Sequence, residues 1–228
     1  MSQLSFKRKI YFSFFYKLRR RLWAHLFLTE RLRAEQSFPQ TTLQEKNISN
    51  LKTLTNRESL LQKLPNDKIV AEIGVDQGDF SELILKYNHP QKLHLIDAWG
   101  DENRYHDGLK GKVYNKFKMQ IDEGKVELNL GFSTAVLQEF ADHYFDWVYL
   151  DTDHSYQTTK TELEILQSKM KKGGIIAGHD YTIGNWVNSY RYGVIEAVNE
   201  FCVVQNWEII FLTTEADHHR SFAIREIG

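Results

Sequence analysis

Ile69-Val-Ala-Glu72-Ile-Gly74-Val-Asp76-Gln-Gly78-Asp-Phe-Ser81 is the stretch that decides the fold. The apolar run Lys68–Val75 reads as a strand, and a helical pattern over Phe80–Tyr87 starts directly after the glycines. Gly74 and Gly78 permit the tight turn and let backbone come close to a ligand, while the helix start offers free N–H groups. An ordinary βα turn would look the same, and the Gly-x-Gly-x-x-Gly of a classical dinucleotide site is absent.

Outward from this turn, apolar runs and helical patterns alternate. Strands are expected at Lys92–Ile96, Lys125–Leu130, Phe145–Leu150, Gly174–Ala177, Trp207–Thr213 and Ser221–Glu226, the last two close enough for a hairpin through Thr214–Arg220. Helices are expected at Thr134–Ala141, Thr158–Met170 and Tyr192–Gln205, with a short one capped by Thr55 or Asn56 and stopped after Leu64 by Pro65. Strands buried on both faces and separated by helices imply a mainly parallel α/β sheet with right-handed crossovers.

The 228 residues fit one α/β domain with an appendage. The net charge of −1 hides an asymmetry. Residues 1–34 carry nine cations against Glu30 alone, giving +8, and the rest carries 20 cations against 29 acids, giving −9. A body of that sign argues against broad nucleic-acid binding. The single cysteine, Cys202, excludes an intramolecular disulfide and a cysteine-type zinc site, and a reducing cytosol is the simplest setting.

The basic arm holds eight aromatics, with Tyr11, Phe15, Leu18, Leu22 and Leu26 at helical steps. Its longest uncharged runs, Ile10–Tyr16 and Leu22–Thr29, are far short of the ~20 residues that span a bilayer. Residues 35–54 are polar and weakly patterned, so the chain divides into an arm with connector, 1–54, and a body, 55–228. The aromatics either pack on protein, in a homo-oligomer or on the body, or sit at an anionic membrane surface on the inner face of the cytoplasmic membrane. Their spread round the helix favours protein packing.

Three further segments place chemistry at strand ends, where α/β sheets bind ligands. Asp97 closes the second strand about 20 residues beyond the glycine turn, placed either for ribose hydroxyls or as a helix cap. Leu150-Asp151-Thr-Asp153-His154-Ser-Tyr156 follows a buried strand. Gly173-Gly174 leads into a strand ending His179-Asp180-Tyr181. The last two clusters could converge on an oxygen-favouring cation such as Mg²⁺.

Together these four segments resemble the class I S-adenosylmethionine-dependent methyltransferases. They most resemble the Mg²⁺-dependent branch acting on sugars and small molecules, of the macrolide-sugar and aminocoumarin type. The resemblance covers roughly residues 55–227 and stops short of the arm. It implies a Rossmann-like, seven-stranded, mainly parallel sheet with an N-terminal helical extension. It implies S-adenosylmethionine as cofactor, contacted by Glu72, Gly74, Asp76, Gly78, Asp97, Ser133 and Asp151. It also implies a metal on Asp151, His179 and Asp180, although His179 stands where a second acid is commoner, and a general base at His154 beside Asp151.

A sugar hydroxyl is a poor nucleophile, so transfer to it needs a base, a metal, or both. Trp99, Arg104, Tyr105, His154, Tyr156 and Tyr181 are the candidate acceptor contacts, aromatic faces beside polar groups suiting a carbohydrate ring. The expected function is O-methylation of a sugar or glycan unit, lipid-linked or polysaccharide. The alternatives are a phenolic acceptor, a hydroxylase-like relative and a non-catalytic cofactor-binding member of the fold. Serine hydrolysis is disfavoured because no Gly-x-Ser-x-Gly elbow exists. Nucleic-acid methylation is disfavoured by the acidic body and by the missing Asn/Asp-Pro-Pro-Tyr pattern.

Overall fold

The computed structural model describes residues 3–100, 108–185, 190–215 and 219–228, with side chains in the first helix from Phe14 onward except at 27, 31 and 34. Contacts divide the chain into two units, 1–40 and 41–228.

The first unit is built on α1 (Gln3–Ser37). Its large side chains, among them Phe14, Tyr16, Leu22 and Leu26, are exposed.

The second unit contains β1 (Lys52–Leu54), α2 (Arg57–Leu61), β2 (Ile69–Ile73), α3 (Asp79–Asn88), β3 (Lys92–Asp97), α4 (Leu109–Lys116), α5 (Lys118–Asp122) and β4 (Val126–Leu130). There follow α6 (Ser133–Glu139), β5 (Phe145–Leu150), α7 (Tyr156–Lys169), β6 (Met170–Gly178), a two-strand ribbon β7 (Gly184–Asn185) and β8 (Tyr190–Arg191), α8 (Val194–Gln205), β9 (Trp207–Thr213) and β10 (Phe222–Glu226). Local chemistry sets several of these boundaries. Asn56 caps α2 by accepting from the Ser59 N–H at 2.8 Å. Ser155 caps α7 by accepting from the Thr158 N–H at 3.2 Å.

All seven expected strands form one sheet, in the order β1-β9-β10-β6-β5-β2-β3-β4. Pairing is parallel from β6 through β4, and β10 is antiparallel to both β6 and β9, so the expected closing hairpin is present. The eighth strand, β1, runs parallel to β9 at the edge, with Lys52 opposite Phe211. It lies in the stretch read from sequence as connector, because three residues at an edge carry no periodic signal. Asn47 fastens this stretch to the body. It is fully buried, and its amide donates to the carbonyls of Cys202 at 3.0 Å and Trp207 at 2.7 Å.

The sheet is covered on both faces, as its alternation requires. Along β5, Phe145, Val148 and Leu150 enter one core with α7 and α8, while Trp147 and Tyr149 enter the other with α2 and α3. Strand order reverses between β2 and β5, because β2 connects onward to β3 while β5 lies on its other side. That reversal opens the crevice at the carboxyl ends where α/β folds receive ligands. The glycine turn lies on one side of it and Asp151 on the other.

Candidate active site

The crevice is assembled from the carboxyl ends of β2, β3, β5 and β6. Its backbone is bent in an unusual way. Asp76, Trp99, His154 and Asp180 all have positive φ, between 36° and 62°, one beyond the end of each of these four strands. Such conformations cost non-glycine residues of order 1–3 kcal/mol and collect where side chains must be aimed.

The two turn glycines are required by the protein's own packing. Gly74 has φ +89, and a Cβ there would lie 1.9 Å from the Asp151 carbonyl oxygen. Gly78 has φ +76, and its Cβ would meet the Phe117 ring at 2.7 Å. Close packing of chain on the Cβ side of both glycines gives a further reason for glycine here, beside backbone freedom.

Asp97 ties the turn to the second strand. One carboxylate oxygen accepts from the N–H groups of Val75 at 2.7 Å and Asp76 at 3.0 Å, and the other from the Trp99 N–H at 2.8 Å. Trp99 returns its indole N–H to the Asp76 carbonyl at 3.1 Å. Glu72 is buried beneath the turn and accepts from the Ser81 hydroxyl. Burial pushes its carboxyl up to about 8, against the hydrogen bond from Ser81. Ser133 heads α6 and donates to Glu162 at 2.5 Å. Glu162 also accepts from Thr152 at 3.1 Å, and burial raises it to about 7. Glu72 and Ser133 therefore brace the crevice from beneath and from its side.

The reactive groups converge beyond β5 and β6. Asp180, only 3% exposed, is clamped between imidazoles. His154 Nε2 lies 3.2 Å from one of its oxygens and His219 Nδ1 lies 2.5 Å from the other. His154 Nδ1 lies 4.0 Å from Asp151. His179 Nδ1 is 3.6 Å from the Asp151 carboxylate and 3.5 Å from that of Asp180. Burial disfavours the His179 cation, yet the two carboxylates outweigh it and lift its pKa to about 10. Burial likewise opposes ionisation of Asp180, but His179, His154 and His219 hold it near 2. The His154 ring packs on that of Tyr192 at 4.7 Å, and its carbonyl accepts from the Gly193 N–H at 2.8 Å. A small cleft beside the ring is lined by Thr152, Thr159, Glu162 and Val194.

Ligand atoms of Asp151, His154 and Asp180 all lie within 4.8 Å of one another, the spacing of a metal site. The donor chemistry does not fit Mg²⁺, which takes an octahedral shell of oxygens. One of the three donors is an imidazole, and both oxygens of Asp180 already face imidazoles.

The other expected contacts disperse. The Tyr156 hydroxyl donates to Glu200 on α8, and the Tyr181 hydroxyl donates to Asn199 at 2.7 Å, also on α8. Both tyrosines serve helix packing, so the structure does not bring these two hydroxyls to His154. Arg104 and Tyr105 lie outside the described residues. His219 was missed from sequence. It is set apart from the motifs and reaches Asp180 only through folding of the hairpin.

Residues 71–181 match the sequence family described as a methyltransferase domain. The match covers just under half of the chain, and the fold is methyltransferase-like. Three solved structures share its architecture. SMU.1697c of Streptococcus mutans, a putative methyltransferase in complex with SAH, is 14% identical, with TM-score 0.53 over 75% of this chain and 96% of that one. A SAM-dependent methyltransferase from Aquifex aeolicus is 13% identical, with TM-score 0.56 over 76% and 91%. The pyocyanin biosynthetic protein PhzM is 14% identical, with TM-score 0.57 over 75% of this chain, which spans only 54% of that protein. At such identities the likeness is one of fold. No protein of curated function matches the chain. The glycine turn, Asp97 and the Asp151–His154 cluster all fall inside the matched residues.

Proposed function

We propose that the methyltransferase domain moves a methyl group from S-adenosylmethionine to a hydroxyl of a sugar or glycan unit, with His154 as the base. When bound, S-adenosylmethionine supplies an electrophilic methyl on a sulfonium. Asp97, half-buried at the carboxyl end of β3, would accept from ribose hydroxyls, and Phe132, next to Gly131 beyond β4, exposes 77% of its surface.

The observation that carries the reading is the contact of His154 Nε2 with Asp180. A tautomer with hydrogen on Nε2 donates to that carboxylate and leaves Nδ1 as the proton acceptor. With the methyl supplied by bound S-adenosylmethionine, His154 Nδ1 would take the proton of the acceptor hydroxyl as that oxygen is methylated. Asp180 stabilises the imidazolium, and His219 and His179 keep Asp180 ionised for that task. Holding nucleophile and methyl in line supplies the larger share of the acceleration. No step is assigned to Mg²⁺, since the donors do not suit it.

The test is transfer of labelled methyl from S-adenosylmethionine to a panel of sugars, glycans and phenols, with and without chelator. Alkali-stable ether label on a sugar, undiminished by chelator, supports the reading. Label confined to phenols moves the function to the alternative acceptor class, and cofactor binding without transfer to any acceptor overturns catalysis.

A further inference from the structure

The ribbon β7–β8 is fastened to the loop that carries His154. The Tyr190 hydroxyl donates to the Asp153 carbonyl at 3.3 Å, and the Gly193 N–H just beyond the ribbon donates to the His154 carbonyl. The chains approach closely. A Cβ on Gly193 would lie 2.3 Å from the Tyr156 N, and one on Gly184 would lie 2.3 Å from the Tyr190 carbonyl oxygen. Pairing sorts the ribbon's side chains. Asn185 faces Tyr190, and the Tyr192 N–H donates to the Ile183 carbonyl at 2.9 Å. Ile183, Asn185, Tyr190 and Tyr192 therefore share one face, while Gly184 and Arg191 take the other. Arg191 is held on that other face by Glu196 at 2.6 Å.

The shared face leads outward from the base, ring by ring. Tyr192 lies against His154 at 4.7 Å and is 4% exposed. Tyr190 packs edge-on to Tyr192 at 5.6 Å and is 47% exposed, with Ile183 on the same face at 64%. Tyr190 is thus fixed by its hydroxyl and by a second ring, yet presents its surface to solvent. A tyrosine so placed offers a large rigid contact at little further entropic cost. Tyr192 is nearly closed and stands between, so a ring stacked on Tyr190 is not the one whose hydroxyl reaches His154. Resting on the reading of the acceptor as a sugar, we propose that Tyr190 is the platform for a second saccharide unit, linked to the unit being methylated. Its ring takes the apolar C–H face of that unit, and the uncharged Asn185 amide across the ribbon is at hand for a hydroxyl. The preferred acceptor is then an oligosaccharide chain and not a free monosaccharide.

The test is transfer of labelled methyl from S-adenosylmethionine to matched pairs of saccharides: glucose and maltose, mannose and mannobiose, N-acetylglucosamine and chitobiose. In the pair that accepts label, the disaccharide should have a KM about tenfold below that of the monosaccharide, the worth of one good ring contact. Tyr190→Ala should erase that advantage, with the change falling on KM more than on kcat and with S-adenosylmethionine affinity retained by calorimetry. Tyr190→Trp and Tyr190→Phe keep a ring and should keep the advantage. Equal use of both lengths by the native chain overturns the platform and leaves sugar methylation standing. An alanine variant that keeps the advantage does the same. So does a phenylalanine variant that loses it, since the bond to Asp153 would then be the working part. Transfer to no saccharide of either length overturns the sugar reading itself, and the platform with it.

Discussion

His154 Nε2 stands 3.2 Å from Asp180 Oδ2, although the two residues come from different strand ends and both sit at positive φ. The contact unites the loop after β5 with the loop after β6. Each loop spends backbone strain to aim one side chain, and the Asp180 carboxylate, nearly closed to solvent, offers its charge to the imidazole without competition from water.

Replacing His154 by Ala should lower turnover by ~10²–10⁴, the usual worth of a positioned base, and leave S-adenosylmethionine affinity within a few-fold. Asp180→Asn should also lower turnover, because it removes the charge that stabilises the imidazolium. Single-turnover kinetics beside calorimetry separates the two effects. A His154→Ala enzyme within a few-fold of native turnover would reduce the residue to a wall of the cleft.

Asp97→Ala removes an acceptor from three backbone N–H groups at once. Hydrogen bonds to charged groups contribute about 1.5–3 kcal/mol each, so both the turn and the ligand crevice should loosen. Calorimetry should show S-adenosylmethionine binding weakened by more than tenfold, together with a lowered melting temperature. Asp97→Asn keeps two acceptor sites on one oxygen and should lose less on both measures. Unchanged cofactor affinity in the alanine variant would confine Asp97 to bracing the turn.

The elements that sequence made legible are those with long-range periodicity. The run Phe145–Leu150 is apolar on both faces, and a strand covered by helices on both sides follows from it; the same holds for Ile69–Ile73. Asp151, His154 and Asp180 were legible because they stand directly after such runs. His219 was not, since nothing in Thr214–Arg220 sets a histidine apart until the β9–β10 pairing returns the chain to Asp180. The tyrosines show the opposite failure. Tyr156 and Tyr181 sit beside the right motifs, yet their rings turn to α8, where Glu200 and Asn199 satisfy their hydroxyls. Sequence adjacency gives the loop, and packing decides which side chains face the crevice.

Gly74→Ala should prevent stable folding, because its Cβ would occupy the Asp151 carbonyl at 1.9 Å and the backbone is left-handed there. Gly111 provides the internal contrast. It lies within α4, and nothing stands within 4 Å of an added Cβ. Gly111→Ala should raise stability by about 0.5–1 kcal/mol through reduced backbone freedom of the unfolded chain. Thermal melts of the two variants should therefore move in opposite directions, and similar shifts would contradict the close approach of the turn to Asp151.

The pH dependence of stability should carry the mark of Glu72. Burial lifts its folded pKa to about 8 from an ordinary carboxylate value of 4.5, so the folded state holds a proton there that the unfolded chain releases. For a raised pKa the sign is fixed. The contribution is complete below pH 4.5, declines as pH rises above it, and is exhausted once pH passes about 8. Glu162, raised to about 7, acts in the same direction over a narrower window. His94 acts oppositely. Burial lowers it to about 4 from 6.5, so its contribution is present above 6.5 and is lost as pH falls through 4. Stability should therefore decline on both sides of weakly acidic pH. Glu72→Gln keeps an uncharged partner for Ser81, removes the ionisation, and should flatten the alkaline decline between pH 5 and 8, with its largest relative gain at the upper end. Denaturant melts of native chain and variant across that interval provide the measurement. Parallel pH profiles would mean that Glu72 is ionised in the folded protein and that the Ser81 hydroxyl is bonded to a carboxylate.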